Sequence, residues 1–409
     1  MNNPDSSSKE WGEPSRGARF TAIELFRLLT FLKGKESLNR GHYVLEFERR
    51  LAEYLKIDHV VCATSCSASL FLVPRILGLK SSDEVLVPVN SFWTAVAPLI
   101  ALGIRPVPYD VTGYDLNGDP SDAKTKITSK TKAIYVQSFG GSPYKAQVFR
   151  DLCDQNNLYL VEDSAHGLGA EYGNAKVQTF SDIACLSFST LKNLVTLGEG
   201  GALVTKHKHL ADRARLLIES RAIGEFRSEQ TPTTEYQKLI EDVGYDFMRI
   251  GDAFSGSWEN IENIGLTLRI SAPQAFMGSL QLNRYRKTLM GRKKQCETYQ
   301  KDLKVVVDGR ASLLEDCDQS AHHLFNLRVS SLELRNNIIS ALYSKLKFRV
   351  VNRYLPIYRH SVSRFYNVPI LEDSIYEEIF LNQLIALPIG PGVSLNQQRQ
   401  IIECINEVE

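Results

Sequence analysis

The stretch Ser187–Gly201, SFSTLKNLVTLGEGG, decides how this chain is read. An apolar run, IACLSF, leads into it, and a second, ALVT, leaves it through Gly198-Glu199-Gly200-Gly201. Lys192 is the one charged side chain before the glycines and is followed at once by Asn193. Short apolar runs on either side of a loop read as buried strands. A lysine between them is either an ordinary surface residue or an amine held at a sheet edge for chemistry, and the flanking sequence bears on which.

Working outward, the same rhythm recurs. The β-rich runs HVVCA, EVLVP, IRPVPYDV, KAIYVQS, LYLVED, IACLSF and GALVT alternate with helix-like stretches such as Ser67–Leu79, Val148–Asn156 and Leu210–Ser220. Near-continuous apolar strands alternating with helices predict an α/β architecture with a mostly parallel sheet covered on both faces. In such sheets ligands sit beyond the carboxyl ends of the strands. Residues 222–264 break the rhythm and read as a long excursion within a large domain spanning 19–270. From Ser271 a long helical pattern leads into a smaller α+β domain, 271–409.

Composition narrows the function. Lysine and arginine number 48 against 47 acidic residues, a net charge of +1, which leaves no footprint for nucleic acid or an anionic membrane. Cys62, Cys66, Cys153, Cys185, Cys296, Cys317 and Cys404 are scattered with no CxxC pair, against a disulfide framework or zinc site and for a reducing compartment. Residues 1–18 carry no apolar run and read as a disordered tail rather than a signal peptide. The uncharged run Val85–Ile104 is long enough to span a bilayer. Pro88, Asn90 and Ser91 divide it into a short strand and a helix beginning near Ser91, so a soluble, cytoplasmic protein with no metal is expected.

Three strand ends carry complementary chemistry. Thr64–Ser69, TSCSAS, opens a helix after HVVCA; it is either a plain N-cap or a phosphate cradle of N–H groups and hydroxyls. Asp163 and His166 follow LYLVE, either as a loop cap with a structural histidine or as functional groups. Ser187 ends the next strand, with Lys192 beyond it. An anion cradle, a carboxylate for a cationic ring nitrogen and a lysine amine make up the inventory that holds pyridoxal phosphate (PLP). Phe92 adds an aromatic face for the ring. His322-His323 reads as the start of a strand in the small domain. Arg353 is a candidate for diphosphate or carboxylate recognition, and Glu199 is a turn cap or a sugar contact.

SFSTLKNLVTLGEGGALVT resembles the lysine motif of the DegT/DnrJ/EryC1/StrS family, PLP-dependent sugar aminotransferases of the aspartate aminotransferase fold. RGHYVLEFERRLAEYL, ATSCSASLFL, VEDSAHGLGAEYG, GLTLRISAPQAFMGSLQLNRYRKTLMGRK, RYLPIYRH and LIALPIGPGVS resemble further family segments in the same order, from about residue 20 to the end. The resemblance implies a three-layer PLP-transferase large domain and an active site at a homodimer interface. It implies that Lys192 holds PLP and shuttles the proton, that Asp163 pairs with the pyridine nitrogen, and that His166 lies near the phenolic oxygen. Ser187 with Cys66 and Ser67 would bind the phosphate.

The chain departs from the family pattern where Cys66-Ser67 replaces Gly-Thr, and where Thr267 stands for the Asn that reaches the neighbouring subunit's phosphate. The implied reaction moves the amino group of L-glutamate to a keto group on a nucleotide-linked sugar. The rivals are amination of a cyclitol, a regulatory protein without turnover, and the family's dehydratase branch, which has histidine where Lys192 stands here.

Overall fold

In the computed structural model the described residues are 17–35, 37–39, 41–219, 266–314 and 318–408. The excursion 222–264 and residues 1–16 of the expected tail lie outside them. Gly17 and Ala18, read as tail, are instead packed into the molecule: Ala18 is fully buried, and the Gly17 N–H donates to the Thr190 carbonyl at 2.8 Å.

The large sheet has seven strands: β1 (His59–Ala63), β2 (Glu84–Pro88), β3 (Arg105–Tyr109), β4 (Thr131–Gln137), β5 (Tyr159–Ser164), β8 (Ile183–Ser187) and β9 (Gly201–Thr205). A two-stranded ribbon, β6 (Glu171–Tyr172) and β7 (Ala175–Lys176), lies apart from it. The strand order is β1-β9-β8-β5-β4-β2-β3; β9 runs antiparallel to both neighbours and the remaining pairs are parallel. Alternate side chains leave opposite faces of a strand, which is why the apolar runs are near-continuous. Val161, Cys185 and Leu203 enter a core with Leu70, Val73 and Val96 on one face. On the other face, Ala184, Leu186 and Ala202 pack with Phe47 and Leu51, while Ile134 and Leu160 pack with Phe149. Three layers result, as the alternation predicts.

Local signals place the elements that build the site. Helix α2 (His42–Leu55), after α1 (Ala22–Lys33), buries Phe47, Leu51 and Leu55 along one stripe. Helix α3 (Cys66–Ile76) starts at Ser65, whose hydroxyl accepts the Ala68 N–H at 3.0 Å. The uncharged run divides as its prolines and polar residues predict, into β2 and α4 (Trp93–Ala101), with Phe92 at the cap. Among the described residues no helix is long and apolar enough to cross a membrane.

The second unit is a three-stranded antiparallel sheet of β10 (Ala311–Leu313), β11 (Phe325–Val329) and β12 (Leu384–Leu387). Phe325, Leu327 and Ile385 pack there with Tyr299, Ile338 and Ile401 from three helices. The long helical pattern after Ser271 is two helices, Ala272–Asn283 and Tyr285–Asp302, with Arg284 between them. A capping box of Ser271 and Gln274 starts the first.

Candidate active site

The carboxyl ends of the parallel strands open into a cavity of about 370 Å³, closed on its far side by the second unit. Cys66, Ser67, Phe92, Asp163, His166, Ser187 and Lys192 all line it, although they come from four separate strand-to-helix or strand-to-loop junctions. Thr267 does not. It is exposed, on a segment tied to the end of β1 by the Thr64 N–H, which donates to the Leu268 carbonyl at 2.6 Å.

The lysine loop is held by its own backbone. The Phe188 N–H donates to Gly200 O at 2.8 Å, Thr190 to Gly198 O at 2.9 Å, and Lys192 to Ser189 O at 2.9 Å. Gly198 has φ of +106°, and a Cβ on Gly200 would lie 2.4 Å from Thr196 Oγ1; both positions require glycine. Glu199 contributes its carbonyl to this turn, accepting from Thr196 Oγ1 and Gln274 Nε2, each at 2.6 Å, and is among the residues lining the cavity.

The first turn of α3 presents free N–H groups toward the cavity beside the hydroxyls of Ser67, Ser187 and Ser189. Ser187 Oγ and Ser189 Oγ lie 3.4 Å apart. Gly201 brings this turn close: a Cβ there would sit 2.3 Å from the Ser65 carbonyl carbon and 2.4 Å from the Cys66 nitrogen. Cys66 turns its thiol inward, 3.8 Å from Asp163 Oδ1 and 3.4 Å from the Cys185 carbonyl.

Asp163 faces the cavity from the end of β5, and Ala165 N–H donates to its Oδ1 at 3.1 Å. Burial pushes its carboxyl above the ordinary range, against the pull of the Ala165 N–H, the Lys192 charge and the Cys66 thiol. A carboxylate raised in this way gains from an added cation. His166 meets the Tyr354 hydroxyl through Nε2 at 3.2 Å. Burial first, then the charges of Lys192 and Arg353, hold its imidazole well below the usual value, so it is neutral.

His323 is a correction. β11 begins at Phe325, two residues beyond it, and the His323 ring lines the cavity with its centroid 4.1 Å from that of His166. Arg353 and Tyr354 stand on the same wall, and Tyr354 packs on Phe92 with centroids 5.2 Å apart. Gly17, Ser189, Arg292, His323 and Tyr354 belong to the site and were not singled out from the sequence as site residues. The adjacency of Tyr354 to Arg353 and of Ser189 to Ser187 was the available signal; Gly17 and Arg292 carried none.

The donor set fits PLP. A helix N-terminus with three serine hydroxyls suits a phosphate dianion, an underneutralised carboxylate suits a protonated ring nitrogen, and one lysine amine reaches the same cavity.

Comparison with known proteins agrees. The family described as the DegT/DnrJ/EryC1/StrS aminotransferase family matches residues 22–406. GDP-perosamine synthase of Vibrio cholerae is 35% identical over 175 residues, which cover 43% of this chain and 47% of that one. The dTDP-4-dehydro-2,3,6-trideoxy-D-glucose 4-aminotransferase of Saccharopolyspora spinosa is 28% identical over 366 residues, 87% of this chain and 86% of that one. A putative sugar aminotransferase from Streptococcus pneumoniae, solved in its PLP form, superposes with a TM-score of 0.80 at 23% identity, covering 97% of this chain and 98% of that one.

Proposed function

We propose, because the chain belongs to the DegT/DnrJ/EryC1/StrS aminotransferase family, that this PLP-dependent enzyme moves the amino group of L-glutamate onto a keto group of a nucleotide-linked deoxysugar. The observation that carries the reading is the meeting of Lys192, Asp163 and the α3 N-terminus in one cavity. The nucleotide-linked substrate named for the Saccharopolyspora relative supports the acceptor class. Arg353 on the second-unit wall suits a diphosphate or a donor carboxylate.

PLP supplies an electron sink conjugated with the carbon that gains or loses the amine. Lys192 Nζ would hold the cofactor and, once free of it, would take the proton from the glutamate α-carbon. In the second half-reaction, with the keto sugar bound in place of 2-oxoglutarate, Lys192 Nζ would deliver a proton to the sugar carbon that receives nitrogen. Asp163 keeps the ring nitrogen protonated. The α3 N–H groups with Ser67, Ser187 and Ser189 would hold the phosphate, and the Cys66 thiol buttresses Asp163. His166, neutral and oriented by Tyr354, would serve the ring's phenolic oxygen, and Phe92 would offer an aromatic face to the ring. Two subunits would form the working unit, in which Thr267, outside its own cavity, would stand where the family's Asn serves the neighbour's phosphate.

The test is the absorbance of the protein with PLP, before and after L-glutamate, beside Lys192→Ala. A band that requires Lys192 and that glutamate bleaches is expected, followed by amination of a dTDP- or GDP-linked keto sugar and not of a ketocyclitol. A Lys192-dependent band that no amino acid bleaches would sink the aminotransferase assignment.

A further inference from the structure

Lys192 is followed by Asn193, a buried residue whose two polar arms both leave the large domain. Asn193 Nδ2 donates to the Ala321 carbonyl at 2.7 Å, and Oδ1 lies 3.1 Å from His323 Nδ1. The orientation is chemically determined. A carbonyl only accepts, so the amide nitrogen must face Ala321, leaving Oδ1 toward His323, whose Nδ1 must then carry the hydrogen.

His323 is itself held from several sides. Its N–H donates to Gly140 O at 2.8 Å, and its carbonyl and that of His322 accept from Arg292 Nη1 at 3.4 and 3.2 Å. Gly141 allows that approach, since a Cβ there would lie 2.9 Å from the backbone nitrogens of both histidines. Arg292 Nη2 also donates to Gly17 O at 2.8 Å, and Gly17 rests on the lysine loop, where a Cβ would fall 2.2 Å from Lys192 O. Burial first, and then the charges of His166, Lys192, Arg292 and Arg353, keep the His323 ring neutral, and the Asn193 Oδ1 acceptor places its one hydrogen on Nδ1.

We infer that His323 is a positioning residue for Lys192: through its Nδ1–H bond to Asn193 it fixes the backbone from which the lysine side chain emerges, and its ring buttresses His166. A catalytic amine that must let go of the cofactor and then reach a carbon needs its anchor fixed while its tip moves, and small misplacements of such groups cost large factors in rate. The second unit thereby completes the lysine site without supplying a reacting atom. The inference rests on the reading of Lys192 as the cofactor-holding lysine.

The experiment follows two quantities: the rate at which the Lys192-dependent band appears when PLP is added to the apoprotein, and the kcat and KM of the glutamate half-reaction. For His323→Ala we expect both the band rate and kcat to fall about tenfold, with KM for glutamate changed less than about twofold. Asn193→Ala should do the same, and the double variant should lose no more than either alone. His323→Asn, whose amide nitrogen stands where Nδ1 stood, should recover most of the loss. Thermal melting of each apoprotein separates misfolding from misplacement; if His323→Ala does not fold, His323→Asn and Asn193→Ala carry the comparison. Wild-type rates in His323→Ala, additive losses in the double variant, or a His323→Asn no better than His323→Ala would each overturn the inference. A wild-type protein that forms no Lys192-dependent band would instead remove the reading on which it rests.

Discussion

The strand-end wall of the cavity carries Cys66, Ser67, Asp163, Ser187 and Lys192, whereas the facing wall from the second half of the chain carries Arg292, His323, Tyr354 and the apolar pair Pro388 and Ile389. The first wall holds groups whose chemistry is specified by charge and by exchangeable protons. The second holds groups that orient others: Tyr354 on His166, His323 on Asn193, Arg292 on three carbonyls. Reactive groups sit at the ends of parallel strands because backbone N–H groups and side chains converge there. Orienting groups need only reach them, and any nearby element serves.

If the first wall does the chemistry, breaking it should cost most. Lys192→Ala should abolish the PLP-linked band and lower transamination by at least ~10³-fold, since it removes both the attachment point and the proton carrier; stopped-flow absorbance with glutamate reads both. Asp163→Asn comes next, at ~10²-fold in the glutamate half-reaction, with the variant still folded. The amide keeps an acceptor for the Ala165 N–H at 3.1 Å but no longer offers the ring nitrogen a charge.

Gly201→Ala tests whether the phosphate cradle depends on close backbone approach. The added Cβ, 2.3 Å from Ser65 backbone, forces β9 and α3 apart. A loss of about 1–3 kcal/mol in stability is expected, with weaker PLP binding; unchanged urea midpoints and PLP affinity would show that the approach is not needed.

The smallest effect is a pair of opposed pH slopes in the apoprotein. His166 and His323 are held well below their ordinary value of 6.5, so the unfolded chain takes protons the folded one refuses. Stability therefore falls as pH drops through about 6.5, by up to about 1.4 kcal/mol per pH unit for each ring. Glu162, fully buried beside Ser138 on β5, is pushed up from 4.5 to about 7, so the folded chain keeps a proton the unfolded one loses. Its contribution falls as pH rises from about 4.5 to about 7. Urea melts between about pH 5 and 8 should show His323→Asn flattening the acid side and Glu162→Gln removing the opposing slope.

How much was legible beforehand differs between the two walls for a physical reason. Asp163 and Ser187 lie at the ends of apolar strand runs and Lys192 in the loop that follows the second, and periodicity marks those ends. The placement of β2 and α4 within the uncharged run followed from Pro88, Asn90 and Ser91. His323 reads as strand because an apolar stretch follows it and local pattern fixes a strand start only to within a few residues. Gly17 reads as tail because a short polar segment gives no sign that a turn elsewhere has room for it.

The linear sequence by itself determined the alternation of strands and helices, the sheet buried on both faces, and the strand-end residues, because these depend on local periodicity and on groups at fixed offsets from it. Only the tertiary structure decided that the second unit folds back to place His323 against Asn193 at 3.1 Å and Arg292 over Gly17 at 2.8 Å. Those contacts join residues more than a hundred positions apart, and no local pattern encodes which distant loop will meet a buried amide. Packing chooses it, once each polar group taken from water has found a partner.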